Sequence, residues 1–147
     1  MDDFWKLLTL LLAGFGAYLA YQQFRLSREK FKLDLFEKRF SIFSGTRLFL
    51  SHILADGKVE LKTIFEYRAA IAEASFLFKP DVTDYLEEIY RRAVHMNALA
   101  MKLTAVPVGE ERNKLVDEEG GELTWLTDQL PELKVKFGPY LQFHVWH

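Results

Sequence analysis

The hydrophobic positions of this chain form one unbroken run near the start, followed by segments with helical spacing. From Leu7 to Phe24 the eighteen residues LLTLLLAGFGAYLAYQQF carry no charge. At about 1.5 Å rise per residue they cover roughly 27 Å, close to the hydrocarbon thickness of a thin bilayer. Phe4 and Trp5 lie at one end and Tyr18, Tyr21 and Phe24 at the other, as in interfacial aromatic belts, and Gln22 and Gln23 mark the exit to the headgroups. The pattern predicts a transmembrane helix over 1–24. A cleaved signal peptide would need a basic start and small residues at its cleavage site, whereas this run begins Met-Asp-Asp-Phe-Trp-Lys and ends in bulky Tyr and Phe. A buried core helix is also apolar all round, but such helices rarely begin at a terminus with flanking charges.

Beyond the run the period is that of helices. Between Leu26 and Leu54, apolar residues at Leu33, Phe36, Phe40, Phe43, Leu50 and Leu54 follow a spacing of three and four, broken at Arg47. No proline occurs before Pro80, so anchor and segment are expected to form one helix of about fifty residues, roughly 75 Å long. A second helix is expected from Leu61 to Phe78, with Leu61, Ile64, Phe65, Ile71, Ser75 and Phe78 on one face. It should stop at Lys79-Pro80, because the residue before proline avoids the helical region. Asp81 or Thr83 then caps a third helix with the seam Val82, Leu86, Ile89, Ala93, Met96, Ala100 and Leu103. After the loop Val106-Pro107-Val108-Gly109, a last segment from Glu110 carries Leu123, Leu126, Leu130, Leu133, Phe137 and Tyr140, with a kink or break expected at Gly120-Gly121 and Pro131. No alternating strand pattern bounded by hairpin turns is present. The expected fold is all-α: a single-pass transmembrane helix (1–24) continuing into an up-down bundle of about four helices (25–143), with a short tail (144–147).

Composition and charge sharpen the placement. The 147 residues are half apolar and 27% charged, and 8 of the 13 phenylalanines precede residue 50. Cysteine is absent, which removes disulfides, thiolate nucleophiles and cysteine–zinc sites. The net charge is −2, without the basic excess of a nucleic-acid binder. That total divides into −1 over 1–24, +3 over 25–39 and −4 over 40–147. One lysine precedes the run, whereas Arg25, Arg28, Lys30, Lys32, Lys38 and Arg39 follow it. Basic flanks stay cytoplasmic, so the N-terminus is expected outside and residues 25–147 in the cytosol. Arg25, Arg28, Lys30 and Lys32 are the expected contacts to anionic headgroups, each contributing up to about 1 kcal/mol near the surface.

Candidate chemistry is sparse. His144 and His147 sit nearly one helical turn apart at the C-terminus, where no packed surroundings orient the rings, so no metal site is expected. His95 neighbours the Met96 seam as a boundary residue, and His52 lies on a helix flank. Glu87 and Glu88 stand four residues before Arg91 and Arg92, the pattern of a solvated helix face, and Asp117-Glu118-Glu119 reads in the same way. Gly14-x-Gly16 lies inside the apolar run and is no phosphate loop, and Ser41, Ser44 and Thr46 fit no nucleophile motif. The expectation is a protein that is not an enzyme and holds no cofactor. One interaction signal stands out. Ala13, Gly16, Ala17 and Ala20 form a small-residue face that permits close approach of another transmembrane helix, and the Phe-rich helix after it extends that theme towards a coiled-coil seam.

Three stretches carry a resemblance: REKFKLDLFEKRFSIFSGTRLFL (28–50), ASFLFKPDVTDYLEEI (74–89) and KFGPYLQF (136–143). Together with the apolar start, the chain resembles a group of small bacterial membrane-anchored proteins of unknown function. KLDLFEKRF is the most specific part. The resemblance implies a bacterial inner-membrane location and transfers no activity or catalytic residues to this chain. The expected function is a non-enzymatic, membrane-anchored interaction or scaffold protein, in contact with the bilayer and with a protein partner or a second copy, and not with nucleic acid. The alternative is a membrane-active effector, a small toxin or defence component, that oligomerises through its anchor.

Overall fold

A computed structural model describes residues 1–142, and they are all-helical, with no strand among them. The helices are α1 (Asp2–Asp56), α2 (Leu61–Ala70), the single turn α3 (Ala74–Leu77), α4 (Pro80–Ala105) and α5 (Glu110–Leu141). The expected tail, 144–147, lies outside the described residues. The chain divides into two compact units, Met1–Glu37 and a helical body from Lys38 onward.

The first unit consists of helix alone. Asp2 and Asp3 occupy its first turn, where the helix dipole favours negative charge. Within it, Thr9 donates its hydroxyl to the Trp5 carbonyl at 2.8 Å, and the Gln22 amide donates to the Tyr18 hydroxyl at 2.8 Å. Each of these polar side chains thus makes one hydrogen bond within its own helix.

The body forms around one core. From α1 it takes Ile42, Phe43, Phe49, Leu50 and Ile53; from α2, Ile64 and Tyr67; from α4, Val82, Leu86, Ile89, Ala93 and Met96; from α5, Leu126, Leu133 and Phe137. Rings set much of the geometry. Phe49 stacks on Tyr67 with centroids 4.2 Å apart, and Phe137 meets Phe43 and Phe78 edge-on at 5.5 and 5.1 Å. Gly57 ends α1 in the left-handed region at φ 64°, its N–H returning to the Ile53 carbonyl at 2.8 Å. There a side chain would be strained.

Several sequence expectations shift. On α1 the buried face is Ile42, Thr46, Phe49 and Ile53 with Phe43 and Leu50, whereas Leu33, Phe40 and Leu54 of the expected seam are exposed. The exposed three share one seven-residue line (33, 40, 54), whereas the buried residues recur on the neighbouring lines 42/49, 43/50 and 46/53, so the core takes a different face of the helix. The helix expected over Leu61–Phe78 is interrupted after Ala70. Three-residue hydrogen bonds (Ala72 N–H to Ala69, Ala74 to Ile71, Phe76 to Glu73) overwind the chain there. Tyr67 and Ala74 are buried while Leu61, Phe65 and Ser75 are exposed. Neither Asp81 nor Thr83 caps α4: Lys79 is the N-cap and Pro80 supplies the first helical position, for which its fixed φ is preorganised. Leu99, not Ala100, continues the α4 seam, three residues after Met96. The break expected at Gly120-Gly121 and Pro131 is absent, and α5 runs unbroken past all three. These residues are exposed, so water can serve the carbonyl that Pro131 leaves without a donor.

Candidate functional site

The apolar run is the most conspicuous functional feature. α1 is the one helix among the described residues long and apolar enough to cross a membrane, and none of its qualifying eighteen-residue window is buried within the chain. Leu10, Leu11, Leu12, Phe15 and Phe24 all stand exposed. The small-residue face of Ala13, Gly16, Ala17 and Ala20 is exposed too, and a Cβ at Gly16 would meet nothing within 4 Å. Beyond Phe24, Arg25, Arg28 and Lys30 are exposed, whereas Lys32 is half-buried and already engaged. By helical rise, Arg25 lies about 1.5 Å past Phe24, Arg28 about 6 Å and Lys32 about 12 Å. The first two fall within one Debye length, about 8 Å, of a surface at Phe24, and Lys32 does not.

In the body, ionisable groups lie at helix junctions. Arg39 donates Nε to the Leu77 carbonyl at 3.0 Å and rests over the rings of Phe78 and Tyr140 at 5.9 and 5.3 Å. Burial lowers its guanidinium pKa, with Tyr140 opposing that shift. The Tyr140 hydroxyl donates to Asp81 at 2.8 Å; partial burial first, and then that bond, raise its pKa. A second junction joins α4 to α5. Arg92 donates Nε to Glu88 at 2.9 Å and reaches Glu122 at 3.4 Å, with its guanidinium 4.4 Å above the Trp125 ring. The hydrogen bond that it donates to Glu88 is the chief cause of its raised pKa. His95 places Nδ1 3.1 Å from Glu122 and Nε2 3.4 Å from Glu118.

Three polar groups sit in the core. Thr46 donates to the Ile42 carbonyl at 2.9 Å, and Gln129 donates to the Trp125 carbonyl at 2.9 Å. The Tyr67 hydroxyl reaches the Leu86 carbonyl at 3.5 Å, and burial pushes its phenol pKa up. Burial, together with the negative charge of Glu132, likewise raises Tyr85 to about 12.

Cavities open on the body among the described residues. One, about 520 Å³, lies where α2 and α3 face α4 and is lined by Phe65, Arg68, Ile71, Ser75, Leu86 and Glu87, with Arg68 and Glu87 joined across it as an ion pair. A second, about 200 Å³, lies between α1 and α2 beside Phe49, His52, Glu66 and Tyr67. The second cavity lines up a hydroxyl (Thr63), an imidazole (His52) and a carboxylate (Glu66), and no hydrogen bond among the described residues links them as nucleophile, base and orienter.

Of the sequence expectations, Glu88–Arg92 pairs as spaced, but Glu87 takes Arg68 from α2 instead of Arg91, which turns to Glu88. A neighbour across a helix contact displaced one along the helix. His95 sits at the boundary, exposed, as expected, and His52 is exposed on the flank of α1. His144 and His147 lie outside the described residues. Among the described residues no group of three or more His, Asp or Glu side chains could hold a metal ion. Sequence reasoning missed Trp125 as the platform for Arg92 and the buried Thr46, Tyr67 and Gln129. The signal for the last three was there: Thr46 lies four residues from Ile42, Tyr67 three from Ile64, and Gln129 three from Leu126.

No family model, no curated protein and no solved structure matches this chain.

Proposed function

We propose that this chain is a non-enzymatic interaction protein held in a bacterial inner membrane by residues 1–24. The N-terminus lies outside, and an up-down helical bundle on the cytosolic side meets a protein partner. One observation carries the reading: a charge-free, eighteen-residue stretch of helix that stands exposed among the described residues, followed within fifteen residues by six basic side chains. Folding within the chain does not account for the apolarity of that stretch, whereas lipid does. The Thr9 hydroxyl, bonded back to the Trp5 carbonyl of its own helix, agrees with the same solvent. Arg25 and Arg28 then fall at anionic headgroups and fix the helix exit. The scaffold role is supported by ionisable groups of the body that serve as struts between helices, as with Arg39 and Arg92.

Alkaline carbonate extraction and C-terminal reporter fusions test the placement. Retention in the pellet with a cytosolic C-terminus is expected. Release into the soluble fraction, or a periplasmic C-terminus, overturns it.

A further inference from the structure

α1 presents a stripe of exposed leucines. Leu12, Leu19, Leu26 and Leu33 recur at every seventh residue, and all four are exposed, Leu26 at 72% and Leu33 at 48%. The same count continues to Phe40, exposed as well, and is broken by Arg47 before Leu54. It differs from the small-residue face: on a helix of 3.6 residues per turn, Ala17 falls opposite Leu12 and Leu19 and Ala13 and Ala20 about at right angles to them, whereas Gly16 lies within about 60° of both. A strict seven-residue repeat drifts by about 20° per heptad around a straight helix, and it stays on one line only when two helices wind around each other. Leu26 and Leu33 follow the apolar run, where water would surround them.

The flanks of the stripe identify the occupant. Glu29 lies on one side of the Leu26–Leu33 line and Lys30 on the other, both exposed. Under a two-fold axis parallel to the helix, one flank of the first copy faces the opposite flank of the second. Glu29 therefore meets Lys30 of the other copy twice, at heights about 1.5 Å apart. We propose that two copies of this chain pair in parallel along α1 through Leu12, Leu19, Leu26 and Leu33, with reciprocal Glu29–Lys30 contacts. The parallel sense rests on the membrane placement proposed above, because copies inserted by one rule share one orientation.

The chain contains no cysteine, so single cysteines report on the pairing without background. Leu26→Cys, Leu33→Cys, Ala17→Cys and Phe31→Cys are expressed separately as the full chain and oxidised in native membranes. All four positions are exposed, so the fold is retained. Leu26→Cys and Leu33→Cys each give a disulfide-linked dimer, whereas Ala17→Cys and Phe31→Cys, on the far side, remain monomeric. In the Leu26→Cys background, Glu29→Lys lowers the dimer yield about five-fold, the scale of two exposed ion pairs, and adding Lys30→Glu restores it. Crosslinking at Ala17 or Phe31 without Leu26 and Leu33, a ladder beyond the dimer, or charge reversal without effect each overturns the proposal. Carbonate extraction of the same membranes separates the two claims. Retention without dimer refutes the pairing alone, and release with dimer at both leucines refutes the anchor alone.

Discussion

Replacement of Phe137 by alanine tests whether the C-terminal half of α5 closes the helical body. The ring is fully buried and meets Phe43 of α1 at 5.5 Å and Phe78, just after α3, at 5.1 Å, both edge-on. Truncation of a buried phenylalanine costs about 3–5 kcal/mol through lost transfer energy and the cavity left behind. Within that total, each aromatic pair accounts for roughly 0.5–1.5 kcal/mol beyond its area. Taking about 4 kcal/mol against the 5–15 kcal/mol typical of small domains, Phe137→Ala lowers the thermal midpoint by roughly 15 °C. Circular dichroism of the full chain in mild detergent reads this out, with Phe76→Ala, which removes an 87% exposed ring, as the matched control. A shift below about 3 °C for Phe137→Ala, or an equal shift for both variants, would refute the placement of α5 against α1 and α3.

Gly57→Ala forces a side chain into φ 64° and should cost about 1 kcal/mol, a fall of roughly 5 °C in the same melt. Arg92→Lys keeps the charge but loses the planar fork and the stacking on Trp125. It should cost on the order of 1 kcal/mol, while Arg91→Lys, an exposed pair on one helix, shifts the melt by less than about 0.5 kcal/mol. Tyr85 bears on alkaline stability: its folded pKa of about 12 exceeds the unfolded value of 10.0, so the folded state holds the proton longer. Its contribution is complete below pH 10.0 and is lost as pH rises towards 12. Tyr85→Phe should therefore flatten the fall in stability across that window, measured by urea titration at each pH.

How much of this was legible in the sequence follows the physics of each signal. The apolar run needs no partner to declare itself, and the α4 seam from Val82 to Met96 faces its core at ordinary helical period. Seams failed where two faces of one helix were apolar: Phe40 and Leu54 read as core because Phe43 and Leu50 beside them are core, and period alone does not say which face the body covers. Pro131 and the Gly120-Gly121 pair argued for a break, yet on an exposed side neither costs enough to stop a helix that is anchored by Leu126, Leu133 and Phe137. The Lys79 cap was hidden because Pro80 starts the helix by its fixed φ and leaves no side-chain signature. Contacts between distant positions, Arg68 with Glu87 or Arg92 over Trp125, were beyond reach, since nothing local specifies which helices become neighbours.

The placement of residues 1–24 in a bilayer is tested most directly by accessibility of single cysteines along α1 in intact cells. Positions Leu10, Phe15 and Leu19 should resist a membrane-impermeant thiol reagent even in opened cells, Asp2 should react in intact cells, and Ser41 should react only once the cells are opened. Labelling of Phe15→Cys by the impermeant reagent in intact cells, or of Ser41→Cys before the cells are opened, would contradict the anchored topology.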